Sequence, residues 1–214
     1  MFVSGIFGVG SEKGLAKVIR DIFNQKGKTV KILRLKAPDE MDAQRMAAYL
    51  KALSICGTEV LVMSLPPEYS EHPLFDEVKL DLVICRSGVF EKHPAIYRRI
   101  LDILSPKGIL VLDEENLSSM IQDLIHREGW TNPTAAGGIP VLTYGFGRKA
   151  SISASSTGED ILGMNYLLCL KEPVPTLPGN TAEPQEYKLE HLDASIPGND
   201  ILAAAALGIL NEVL

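Results

Sequence analysis

The sequence predicts an α/β domain: a mostly parallel sheet flanked by helices, with a small antiparallel β sheet in the C-terminal half. Three observations carry this. As far as residue 135, short apolar runs alternate with stretches whose apolar residues recur at helical spacing, the pattern of strand–helix–strand units. Beyond that point β-like runs follow one another without a helical stretch between them, as in hairpins. The first apolar run ends in glycines immediately ahead of an amphipathic stretch, an entry that suits anion binding. The expected organisation is one domain over 1–214, with a parallel part at 1–135, an antiparallel part at 136–196 and a closing helix at 197–214.

Each element has its own signal. Phe2 to Phe7 is a short apolar strand, and Leu15, Val18, Ile19, Ile22 and Phe23 mark one helical face after it. Gly27 closes that helix as a C-terminal glycine does. Val30 to Leu35 is the second strand, and Met46, Ala47, Leu50 and Leu53 mark the second helix. Glu59 to Leu65 is the third strand, stopped by Pro66 and Pro67, and the polar stretch 66–79 reads as a loop. Leu80 to Cys85 is nearly all apolar, as a strand covered on both faces is. Pro94 suits the first turn of a helix carrying Ile96, Ile100, Leu101 and Leu104. Gly108 to Leu112 is a fifth strand, followed by a helix through Leu117, Met120, Ile121, Leu124 and Ile125. Pro140 to Phe146, Ala150 to Ser155, Met164 to Leu170 and Tyr187 to Leu192 read as strands, with a loop at 172–184. Ile201 to Leu214 is a helix rich in alanine and leucine.

Bulk properties exclude several classes. The chain has 214 residues, 46% of them hydrophobic, enough for a real core. A net charge of −6 argues against an extended nucleic-acid surface. No apolar run reaches the length of about 20 residues that spans a bilayer, so no membrane role is expected. The apolar start reads as a buried strand, not a signal peptide. Cys56, Cys85 and Cys169 are too few and too scattered for a disulfide framework, which points to the cytoplasm. The four histidines show no metal-ligand spacing, and Ser64 and Ser87 have no evident base partner.

The glycine loop reads Gly5-Ile6-Phe7-Gly8-Val9-Gly10-Ser11-Glu12-Lys13-Gly14. It is P-loop-like in plan, but a true P-loop needs Gly-Lys-Ser/Thr so that the lysine reaches the terminal phosphates and the hydroxyl reaches Mg²⁺. Here Lys13 follows Glu12, and Gly14 stands where the hydroxyl belongs. The dinucleotide pattern also fails, since three residues separate Gly10 from Gly14. The loop therefore reads either as a tight strand-to-helix turn or as an anion site.

Several segments, in order, resemble the central ATP-binding domain of the Mur ligase family, which joins amino acids to peptidoglycan precursors and has the folylpolyglutamate synthases as relatives. Residues 5–16, GIFGVGSEKGLA, resemble the family's GITGTNGKTTT loop. Leu110-Val111-Leu112-Asp113-Glu114-Glu115-Asn116 resembles VLNADDPN. Thr143-Tyr144-Gly145-Phe146 resembles TYGF, the most specific match, and residues 197–206 resemble the helix HNVYNALAAIA. The resemblance covers nearly the whole chain. It implies ATP and Mg²⁺ as cofactors, with the loop residues Gly8, Gly10, Ser11, Lys13 and Gly14 at the phosphates. Glu115 or Asn116 would lie near the ribose, or would simply favour a helix N-terminus. Asn199 would meet the adenine, or would simply cap the last helix.

The departures bear on function. Glu12 aligns with the family lysine, and Ser64 with the metal-binding glutamate of a stretch like EVSS. The stretch Cys85 to Phe90 lacks the metal-binding histidine of TNIxxDHLD, and His93 lies nearby at the start of the next helix. Arg98 and Arg99 stand in the region of the family's carbamylated lysine, a role closed to arginine. Leu202 replaces the second asparagine of the last helix. No catalytic residue and no metal ligand is therefore assigned. Arg86, Arg98 and Arg99 are candidates for a cationic pocket at the strand ends, although a solvated helix face also explains the last two. The family's flanking substrate-binding domains have no counterpart in these residues, so a protein partner is the expected source of them. Two readings stand. One is a non-catalytic Mur-like domain that binds nucleotide or phosphate weakly or serves as a partner scaffold. The other is an ATP-dependent amide ligase or ATPase component in cell-wall-related metabolism, completed by other domains or chains.

Overall fold

A strand with no polar side to offer water has to be covered on both faces, and the first strand, β1 (Phe2–Phe7), is buried from Val3 onward. In the computed structural model, which describes residues 1–8, 12–35, 42–86, 88–89, 99–100, 102–114, 139–160 and 163–214, β1 is the third strand from the β2 edge of a nine-stranded sheet. The other strands are β2 (Val30–Arg34), β3 (Val60–Leu65), β4 (Leu80–Cys85), β5 (Leu104–Asp113), β6 (Val141–Tyr144), β7 (Ile152–Asp160), β8 (Gly163–Leu170) and β11 (Gln185–Leu192). Their order is β11-β8-β7-β6-β5-β4-β1-β3-β2. Pairing is parallel from β2 to β7 and antiparallel among β7, β8 and β11. The antiparallel part thus continues the parallel sheet through the Tyr144–Ile152 pair. A separate two-stranded sheet, β9 (Val174–Pro175) with β10 (Thr181–Ala182), sits inside the expected 172–184 loop.

Helix α1 (Glu12–Gln25) buries Leu15, Val18, Ile19, Ile22 and Phe23. Gly27, at φ 66°, ends it: its N–H donates to Asn24 O and that of Lys28 to Phe23 O. Helix α2 (Ala43–Ile55) begins where the Asp42 side chain accepts from the Arg45 amide at 2.8 Å, and it buries Met46 and Leu53. The last helix, Gly198–Leu210, is buried on every side from Asp200 to Leu210 because it packs between α1 and the sheet.

The structure corrects three readings. The stretch 66–79 is not a plain loop: it holds a 3-10 turn (Pro67–Glu71) and the one-turn helix α3 (Leu74–Glu77), which makes the closing helix α4. Pro67 and Pro73 open these turns, and buried Tyr69, Leu74 and Phe75 anchor them. The fifth strand begins at Leu104, not Gly108, because Leu104 pairs with Leu80 across a register irregularity. Asn199 is not the cap of the closing helix, since the cap position belongs to Pro197 and carries no side-chain cap bond. The expected helix through Leu117 and Ile125, and most of the one after Pro94, lie outside the described residues.

Strand alternation divides the core into two layers. Ile6, Leu82, Ile84, Ile109, Val111, Leu142 and Tyr144 join α1 and α4 on one face. Val3, Phe7, Val83, Cys85, Leu110 and Leu112 join α2 and α3 on the other. This parity decides which side chains beyond the strand ends share a face.

Candidate functional site

In open parallel sheets ligands bind beyond the carboxyl ends of the strands, where successive connections leave in opposite directions. From β1 the chain passes to β2 on one side, and β3 then leads to β4 on the other, so the topological switch point lies beside β1.

Register brings four residues into one row there. Phe7 pairs with Cys85, so Gly8 follows beside Arg86. Cys85 pairs with Leu112, so Arg86 lies beside Asp113, and Asp113 pairs with Tyr144. Period two places all four on the face of α1 and α4. At a strand spacing of about 4.8 Å the row runs about 14 Å from Gly8 to Tyr144.

The row is tightly built. The Gly8 amide donates to Leu65 O at 3.3 Å, and the Arg86 amide to Phe7 O at 3.0 Å. Gly8 has φ 136°, and a Cβ there would come within 2.8 Å of Arg86 Cβ. The Arg86 stem therefore lies directly over the glycine. Its guanidinium donates through Nη2 to Asp200 Oδ1, in the first turn of α4. The side chains are 12% and 1% exposed, so this ion pair is shielded from solvent. Burial raises the Asp200 carboxyl above its ordinary pKa, and the Arg86 charge opposes that rise. Asp200 Oδ2 and the Tyr144 hydroxyl are buried without a hydrogen-bond partner among the described residues. Burial also pushes the Tyr144 hydroxyl well up, aided by the charge of Asp113 and opposed by that of Arg86. Beside the row, Glu114 Oε1 accepts the Lys149 amide at 3.2 Å, and Gly145 and Gly147 leave room for its side chain.

Of the sequence candidates, Gly8 falls in the row. Lys13 is exposed in the first turn of α1, with Gly14 following it. Asn199 is half-buried at the second residue of α4, one position before Asp200. Gly10, Ser11, Glu115 and Asn116 lie outside the described residues, as do His93 and Arg98. Arg99 is not at the strand ends: it pairs with Asp76 at 3.0 Å and Asp102 at 3.3 Å. Ser64 sits partly buried in β3 beside Ile6. Asp200 and Tyr144 stand within the quoted motifs, but no local sequence signal marks either as a site residue. Counting parity outward from Gly8, through strands of known register, is what unites them.

The fold and this row of residues define an α/β domain whose topological switch point lies at the carboxyl edge of the sheet. More particularly, the chain has the fold of the Mur ligase central domain. It is similar to a UDP-N-acetylmuramoyl-L-alanyl-D-glutamate–2,6-diaminopimelate ligase, with TM-score 0.67 and 12% identity, over 99% of this chain and 43% of that one. It is similar to a bifunctional folylpolyglutamate synthase/dihydrofolate synthase from Yersinia pestis c092, complexed with AMPPNP and a Mn ion, with TM-score 0.56 and 12% identity, over 99% of this chain and 53% of that one. It is also similar to the folylpolyglutamate synthetase from Lactobacillus casei, with TM-score 0.52 and 10% identity, over 100% and 59%. The chain spans about half the length of these proteins. No family model matches the sequence, and no curated protein matches it. No helix among the described residues is long and apolar enough to cross a membrane.

Proposed function

We propose that the chain is a Mur-ligase-like central domain that binds a phosphate-bearing nucleotide, ATP by the likeness of the fold, without itself completing amide ligation. The observation that supports this is the shielded Arg86–Asp200 pair at the switch point. It fixes a guanidinium just after β4, where the family resemblance leads one to expect a metal-binding stretch. A guanidinium balances phosphate charge, but it cannot serve as a metal ligand. Ser64, in place of the expected glutamate, supplies a hydroxyl instead of a carboxylate. On this reading the domain works in the cytoplasm as a nucleotide-responsive scaffold for a protein partner.

A second reading is favoured by the fold itself, whose neighbours include a ligase complexed with AMPPNP and a Mn ion. Here the chain is the ATP- and Mg²⁺-using component of an amide ligase in cell-wall-related metabolism, completed by domains or chains that bring the carboxylate and the amine together. Calorimetry with ATP and ADP, with and without Mg²⁺, separates the two. Mg²⁺-dependent micromolar ATP binding that is lost in Lys13→Ala overturns the non-catalytic reading. No binding at millimolar nucleotide overturns nucleotide binding by this chain.

A further inference from the structure

We propose that Arg86 is the phosphate-anchoring cation of this site, taking over from the strand β4 end the charge that a loop lysine supplies in a P-loop, and that Asp200 is its positioning residue. The inference rests on the reading of the switch point as a phosphate site.

Three observations lead to it. The loop carries Glu12 at the position where the lysine is expected, and Lys13 is solvent-exposed at the start of α1. Arg86 is one strand away, beside Gly8 by register and in contact with it along the stem. It is fixed from above as well as below, because Asp200 belongs to a helix buried over its whole length from that residue on. A positioned guanidinium is a ready phosphate receptor, since its planar fork serves a carboxylate and a phosphate oxygen at once. The buried Tyr144 hydroxyl and Asp200 Oδ2, unpartnered among the described residues, lie in the same row or against it. Buried polar atoms left in this way mark an incomplete hydrogen-bond set, in which the Tyr144 hydroxyl can donate to a phosphate oxygen and Asp200 Oδ2 can accept from a water. Preorganisation is the point of the arrangement: the cation is already ordered, so little side-chain entropy is lost when the anion arrives.

The test is calorimetric titration of the intact chain with tripolyphosphate and with ATP, in EDTA so that no divalent ion carries the charge. The variants are Lys13→Ala, Asp200→Asn and the double variant Arg86→Gln/Asp200→Asn. The double variant removes both charges together, leaving neither buried and alone, and its fold is checked by circular dichroism. The expected result is binding by the wild-type protein, weakened at least about tenfold in the double variant. Asp200→Asn should weaken it by about threefold to tenfold, since the cation stays but loses its charged tether. Lys13→Ala should weaken it less than the double variant does. Wild-type binding that persists in the folded double variant, or is lost in Lys13→Ala, overturns the anchor and leaves the phosphate site standing. Wild-type protein that binds neither probe overturns both.

Discussion

Replacing Arg86 with methionine strips the partner from a carboxylate that is almost wholly buried. Asp200 is 1% exposed, and only its Oδ1 meets a donor among the described residues. Methionine keeps much of the apolar stem over Gly8, so the change isolates the charge. Breaking a buried pair from one side costs about 3–5 kcal/mol. For a chain of this size, at about 2–4 °C per kcal/mol, Tm should fall by about 6–20 °C. Arg86→Met/Asp200→Leu removes both charges and should recover most of the loss, because a buried pair replaced by apolar groups is close to neutral. Urea unfolding followed by circular dichroism measures both, as midpoint shifts at unchanged slope. The pH dependence has a definite sign. Burial holds the Asp200 carboxyl above its ordinary value of 3.8, against the pull of Arg86. A group raised in the folded state favours folding below its unfolded pKa, and that advantage is lost as pH rises through the folded pKa. Without Arg86 the folded value climbs further, so the deficit of Arg86→Met should narrow toward about pH 4 and widen above it. A single variant within about 1 kcal/mol of wild type near pH 7, or a double variant no better than the single, refutes the buried-pair reasoning.

Other consequences follow from the same geometry. Gly8→Ala forces a side chain onto φ 136° and against Arg86, and should cost about 1–3 kcal/mol in urea unfolding. Leu202→Ala, in the fully buried closing helix, should cost about 2–5 kcal/mol in the same assay. Glu212 is held below its ordinary 4.5 by the Thr176 hydroxyl and by Asn180 at 2.9 Å. Its contribution is therefore present above 4.5 and lost as pH falls through the lower folded value, so Glu212→Gln should flatten the acid limb of a Tm–pH curve. Burial pushes the Cys85 thiol up while Cys56 is exposed. A thiol reagent should therefore label Cys56 first and Cys85 only on unfolding.

What was legible in the sequence follows the strength of each local signal. Continuous apolar runs such as Phe2–Phe7 and Leu80–Cys85 leave no choice but a doubly covered strand, and both emerge with those bounds. Gly27 announces a helix end because its φ of 66° suits few other residues. The 66–79 stretch reads as a loop because its polar and proline residues hide buried Tyr69, Leu74 and Phe75 among turn formers, so neither period shows. Leu104 looked helical because a strand that enters through an irregular register breaks alternation at its start. Of the candidate site, Gly8 was legible from the turn alone. Arg86 was legible only as a charge near a strand end. The pairing of Arg86 with Asp200 spans more than half the chain, and no local pattern encodes it.

That long-range pairing also explains how the loop can carry Glu12 where a lysine is expected without emptying the site of positive charge. In a parallel sheet, adjacent strand ends stand about 4.8 Å apart. Arg86, at the end of β4, therefore stands one strand from the end of β1, which leads into the loop. What it requires there is a support, because a long side chain crossing a strand end is otherwise mobile. Gly8 supplies the floor, since any Cβ there would collide with Arg86. Asp200 supplies the tether, and the burial of α4 makes that tether rigid. The three residues therefore depend on one another: Gly8→Ala should displace Arg86 and so weaken anion binding along with stability, whereas Leu202→Ala, in the same helix but away from the row, should lower stability with anion affinity retained below the unfolding transition. Equal loss of affinity in both variants, measured where both are folded, would separate the glycine from the arginine and undo the argument.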